Sequence, residues 1–160
     1  MFREALVGVV AGAVGTVALN VATYADMAIR ARPSSSAPSK MVGILADKAG
    51  VALSSKGQGS QDEEAQNRES GLGALLGYVN GLGTGIAYGL IRSQLDDVSI
   101  PLASAVVGLT AMVASDTPLV ALKVSDPRTW GAAGWASDVI PHLIYGLVTV
   151  AAFELLMKQD

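Results

Sequence analysis

The charged residues of this chain are gathered into clusters that leave four long uncharged gaps, Ala5–Ala25, Ser70–Ile91, Val98–Ser115 and Val139–Phe153. An α-helix rises ~1.5 Å per residue and a bilayer's hydrocarbon core is ~30 Å thick, so a span needs roughly 20 mostly apolar residues. The first two gaps meet that length, the third nearly does, and the fourth does so by running on to Met157 with Glu154 near the headgroups. The expected fold is therefore all-α, a four-transmembrane-helix bundle forming one membrane domain over 1–160, with spans at about 5–29, 70–92, 98–116 and 139–157. The first stretch is longer than the ~7–15-residue core of a secretory signal and reaches Tyr24-Ala25-Asp26 without a convincing small-residue cleavage site, so it reads as a retained span.

Composition agrees and excludes several chemistries. The mean hydropathy is +0.43 and 51% of the residues are hydrophobic, slightly above the ~45–50% of soluble domains. With no cysteine, the chain itself offers no disulfide, thiolate metal site, iron–sulfur ligation or thiol redox couple. Its single histidine cannot supply bis-histidine haem ligation in one copy. The net charge of −3 comes from a mixed surface without the basic arm that nucleic-acid binding needs. No G-x-x-x-x-G-K-[ST], H-E-x-x-H or G-x-S-x-G occurs, and the repeated glycines lie in a span rather than at a strand-to-helix turn. The sequence thus predicts no cofactor, no nucleic-acid partner and no enzyme of those classes.

Lys and Arg fall unevenly on the two sides of the predicted bundle. Arg3, Arg92 and Lys158 lie on one side, and Arg30, Arg32, Lys40, Lys48, Lys56, Arg68, Lys123 and Arg128 on the other. Cytoplasmic loops retain positive charge, so this bias predicts a multi-pass protein of a bacterial cytoplasmic (inner) membrane with both termini outside. Segments 30–69 and 117–138 are then cytoplasmic, and Ser93–Asp97 is a short external turn.

The cytoplasmic loops carry helical signals of their own. Pro38–Ala49 sets Met41, Val42, Leu45 and Ala49 on one face and is followed by Gly50, a helix-stop residue. This predicts an amphipathic helix over 38–49, lying on the membrane, packed on the bundle, or free of both. Ser54–Gln61 is rich in Ser, Gly and Gln and reads as a mobile linker, after which Ser60-Gln61-Asp62-Glu63 fits a capping box that starts the second spanning helix early. In 117–138, Ser125-Asp126-Pro127 places a polar cap before a proline at a first helical position, and Trp130 and Trp135 suit the membrane–water interface. A short interfacial helix is expected there. Ser137 or Asp138 then caps the fourth spanning helix, with Pro141 in its first turn.

Three patterns point to packing or chemistry. Gly73, Gly77, Gly81, Gly85 and Gly89 recur every four residues through the second span, and Gly8, Gly12 and Gly15 give the first span a shorter version. Such positions let a neighbouring backbone approach closely, either within this bundle or across a homodimer seam. Polar side chains also fall within spans, notably Asn20, Asn80 and Tyr145, with Thr16, Tyr24, Tyr78 and Thr84 nearby in sequence. They pair between helices or line a substrate or ion site, and Asn20 and Asn80 can lie within one helical turn in depth. Finally, Asp138 and His142 share a helix face near the cytoplasmic surface, on the side where Asp116 and Asp26 also lie. They can form a proton-accepting pair, gather a divalent cation, or serve as a cap and a structurally bonded histidine. The hairpins echo each other in Tyr88-Gly89-Leu90 and Tyr145-Gly146-Leu147, which suggests a two-hairpin repeat.

Taken together, Arg30-Ala31-Arg32-Pro33-Ser34-Ser35-Ser36-Ala37-Pro38, Ser125-Asp126-Pro127-Arg128-Thr129-Trp130 and Asp138-Val139-Ile140-Pro141-His142-Leu143 resemble small four-helix membrane proteins of high-GC Gram-positive bacteria. In hydropathy and in the final helix the chain also resembles, distantly, the YagU group of inner-membrane proteins. The resemblance implies location and carries no reaction, ligand or site residue. The expected role is a non-enzymatic accessory or scaffold subunit whose partners are membrane lipids and other membrane protein subunits or further copies of itself. The alternative is a small transporter or channel that uses the intramembrane polar residues, and an intramembrane enzyme built on Asp138 and His142 comes third.

Overall fold

The computed structural model describes residues 1–54, 58–94 and 98–158, with backbone only over 58–62. It is all-helical over these residues: α1 (Phe2–Arg30), α2 (Ala37–Ala49), α3 (Gln58–Ile91), α4 (Ile100–Ala121) and α5 (Ala132–Met157), with 3₁₀ turns at Arg92–Gln94 and Pro127–Thr129. All but α2 are long and apolar enough to cross a membrane. α1 packs between α3 and α5, α5 packs on α4, and α2 lies against α3. Many large apolar side chains face outward, among them Leu6, Val10, Val17, Val79, Leu102, Val113 and Leu147, as expected where the surroundings are hydrocarbon.

Short residues decide the interior. Ala11, Gly12, Gly15, Thr16, Ala103, Ser104, Gly108, Ala111 and Gly146 are buried, and the largest fully buried side chains are Tyr145 and Phe153. Tyr88 and Phe153 meet edge to face with centroids 5.2 Å apart, a favoured aromatic geometry.

Several helix ends differ from the sequence expectation. Ser137 and Asp138 do not cap α5, which starts at Ala132 with Gly131 as its N-cap. The first turns gain partners from α1: Arg30 Nη1 donates to Ala133 O at 3.3 Å, and Arg30 Nη2 donates to Ser137 Oγ. Pro141 consequently sits in the helix interior, not the first turn, and removes the N–H that Ser137 O would accept. α4 likewise runs past Asp116 to Ala121 and contains Pro118. α3 begins at Gln58, which puts Ser60 inside the helix rather than at a cap. Of the expected linker Ser54–Gln61, residues 55–57 lie outside the described residues, as do 95–97 of the external turn.

α2 ends where the sequence places it. Gly50 adopts a left-handed φ of 68° and its N–H bonds Ala46 O and Asp47 O, the arrangement that favours glycine after a helix. Of its expected apolar face, Met41 and Val42 are buried whereas Leu45 and Ala49 are exposed. The interfacial segment of the last loop is a single 3₁₀ turn with Asp126 at its cap and Pro127 first. Trp130 follows it, Trp135 belongs to α5, and the two indoles contact edge to face at 5.1 Å.

Candidate functional site

The glycine stripe of α3 divides between three environments. A Cβ at Gly85 would lie 2.7 Å from Gly12 Cα, and one at Gly8 would lie 2.5 Å from Gly85 O. One at Gly12 would lie 2.6 Å from Gly81 O, and one at Gly89 would strike Glu4 O. Here α1 and α3 touch backbone to backbone. Gly73 instead faces α2, where a Cβ would sit 3.0 Å from Pro38 C. Gly77 has nothing within 4 Å. The second hairpin repeats the device, since a Cβ at Gly108 would lie 2.5 Å from His142 O and one at Gly146 would meet Ser104 O.

Two polar side chains of the long helices make interhelical bonds. Tyr145, 1% exposed, donates its hydroxyl to Gly81 O at 2.6 Å, so α5 reaches α3 beside the glycine seam. Asn80 Nδ2 donates to Ala111 O at 2.9 Å and ties α3 to α4. Asn20 is half-buried on α1, and Asn80 is committed to α4 instead. Thr16 Oγ1 bonds its own helix at Gly12 O, 2.8 Å away. Thr149 Oγ1 and Ser104 Oγ are buried without a hydrogen-bond partner.

The structure brings Asp116, Asp138 and His142 together where α4 and α5 meet near the loop end. His142 Nδ1 donates to Asp138 O at 2.8 Å and stands 3.4 Å from Asp138 Oδ1. Its Nε2 faces Ser115 Oγ at 3.5 Å, and that hydroxyl donates to Met112 O at 2.8 Å. Both ring nitrogens thus face acceptors, an environment that also accommodates a doubly protonated imidazole. Asp138 Oδ2 is buried without a partner. Among the described residues no group of three or more His, Asp or Glu side chains is placed to hold a metal ion. Asp138 is also not a cap, because it lies inside α5.

Two charged groupings escape a reading by motif. Asp26 bonds Arg30 Nε at 2.5 Å and Arg32 Nε at 2.5 Å, and Ser137 Oγ stands 3.4 Å away, which joins the end of α1 to the start of α5. At the opposite end Glu154 pairs with Arg92 and accepts from Tyr88 Oη at 3.2 Å. The i,i+4 spacing of Asp26 and Arg30 signals the first. Nothing local signals the second, whose partners are 62 residues apart. No family model, curated protein or solved structure matches this chain.

Proposed function

We propose that this chain is a non-enzymatic integral membrane subunit that scaffolds an assembly by seating a second membrane helix on the outward face of α3. The observation that carries this is Gly77. The other four glycines of the stripe are filled by α1 or α2, whereas Gly77 has nothing within 4 Å and sits among outward-facing Leu75, Leu76, Tyr78 and Val79. A glycine turned to lipid gives no packing, but it admits a neighbouring backbone closely if one is present. The partner is another membrane protein or a further copy of this chain. The positive-charge bias supports a bacterial inner-membrane setting with termini outside and both longer loops cytoplasmic. Purification in mild detergent followed by native mass spectrometry tests the reading: an assembly is expected, and a strictly monomeric species without a partner overturns it.

A second reading, a small proton or cation transporter or channel, draws on His142. Its two nitrogens face acceptors, and Asp138 and Asp116 lie beside it. Asn80, Thr84 and Tyr88 also follow every fourth residue along α3, with Arg92 next in the 3₁₀ turn after it, and Tyr88 and Arg92 both join Glu154 on α5. Proton flux in proteoliposomes that is lost in His142→Ala would favour this reading, and absence of flux across an ion panel would remove it.

A further inference from the structure

α4 does not end as glycine-terminated helices do. Lys123, the residue after the Leu122 C-cap, takes a left-handed φ of 57°. Its N–H bonds Val120 O at 3.0 Å while the N–H of Val124 bonds Leu119 O at 2.8 Å. That is the paired closure in which glycine is usual, because a Cβ is disfavoured in this conformation. This chain has 18 glycines, yet it places a lysine here.

Lys123 lines a concavity of about 360 Å³ with Val120, Ser125, Asp126, Pro127 and Arg128. Among the described residues Lys123 makes no ion pair, and its ammonium carries three donors. Arg128 is highly exposed, and Asp126 holds it through Nε at 3.0 Å and Nη2 at 3.1 Å, leaving its remaining N–H groups to point elsewhere. The same contact holds the Asp126 carboxyl below the usual carboxylate range, so it stays ionised as an orienting group. Ser125 Oγ accepts from Trp130 Nε1 at 3.1 Å, which frees its own proton for donation. The lining therefore offers two cations, one already partly neutralised, and a hydroxyl donor.

Depth fixes what such donors meet. α4 has 22 residues, about 33 Å of helix, which spans a ~30 Å hydrocarbon core and delivers Lys123 to the headgroup layer. The Trp130–Trp135 pair beside it belongs at the same level. We propose that Lys123, Arg128 and Ser125 form a binding site for an anionic phosphate group, supplied by a phospholipid headgroup or by a soluble phosphate ester. The site is independent of any partner on α3.

The test uses the full chain in detergent, read by Trp fluorescence of the adjacent indoles and by native mass spectrometry of adducts. Phosphatidylglycerol, phosphatidylcholine and soluble glycerol phosphate are titrated separately. Phosphatidylglycerol is expected to bind more tightly than phosphatidylcholine, and Lys123→Gly and Arg128→Gln should each weaken it by roughly fivefold, the usual contribution of one basic residue at an anionic surface. Lys123→Gly should melt no lower than the parent, because glycine suits the left-handed position, which separates lost binding from lost folding. Saturable binding of glycerol phosphate that is weakened by the same substitutions also supports the site and assigns its source as soluble. Parental affinity of both variants for phosphatidylglycerol and for glycerol phosphate alike, or no saturable binding of either by the parent, overturns the proposal.

Discussion

Alanine at Gly85 should separate the two helices of the first hairpin, and the structure sets the size of the effect. The added Cβ would lie 2.7 Å from Gly12 Cα and 2.8 Å from Gly12 N, and it would strike Gly8 O. These are backbone atoms, so no side chain can swing aside. Carbon contacts settle at ~3.5–4.0 Å, so α1 must retreat by roughly 1 Å. A gap of that size forfeits a quarter to a half of each contact of about 0.15 kcal/mol, and on the order of 50 atom pairs along the seam gives a loss of about 2–4 kcal/mol. Alanine's better helix propensity returns up to ~1 kcal/mol. Gly85→Ala is therefore expected to cost about 1–4 kcal/mol, and Gly85→Leu to prevent assembly of the hairpin. Gly83, which has nothing within 4 Å of its Cβ position, is the control, and Gly83→Ala should be neutral or slightly stabilising. Reversible unfolding in bicelles, followed by steric trapping, measures both. Equal stability of Gly85→Ala and Gly83→Ala would refute the close-contact reasoning.

Other substitutions probe the remaining contacts. Tyr145→Phe removes the 2.6 Å bond to Gly81 O and should lower stability by about 1 kcal/mol in the same assay. Asn80→Leu removes the bond to Ala111 O and should cost roughly 0.6–1.7 kcal/mol, the range for interhelical hydrogen bonds in lipid. His142→Ala should lower stability by roughly 1–3 kcal/mol, and a variant with parental melting but altered pH response would transfer His142 to a functional role. Cysteine introduced at exposed Lys48 should react with an impermeant maleimide only after the cells are opened. Labelling in intact cells would reverse the proposed orientation.

The four long helices were legible because charge is so costly in hydrocarbon that its absence marks a span. Their ends were less legible, because lipid thickness limits a span but not the helix that contains it. α5 continues six residues before Asp138 because Arg30 and Asp26 provide partners at Ala133 and Ser137, contacts that join positions more than 100 residues apart. The stripe from Gly73 to Gly89 was readable as a pattern, but its assignment was not: four positions face α1 or α2 and Gly77 faces neither. The i,i+4 relation of Asp138 and His142 was available from spacing, whereas the Ser115 hydroxyl opposite Nε2 required the pairing of α4 with α5. Glu154 reads as a headgroup charge and Arg92 as one of the outside cations until the end of α3 and α5 are placed side by side.

The central position of α1 has a consequence for biogenesis. Its surfaces are completed by α3 and by α5, the latter through Gly15 against Tyr145 and Thr149. During synthesis α1 leaves the ribosome before α3, α4 and α5, and α5 emerges after the other three. Until α5 emerges, Gly15 and its side of α1 lack the neighbours they have in the fold, and that seam can close only after α4 and the loop behind it have been made. Helices in lipid associate after they insert, and contacts across such sequence separations form late. A ribosome stalled before Ala132 would therefore hold α1, α3 and α4 with Gly8 and Gly12 filled and the Gly15 side of α1 still open.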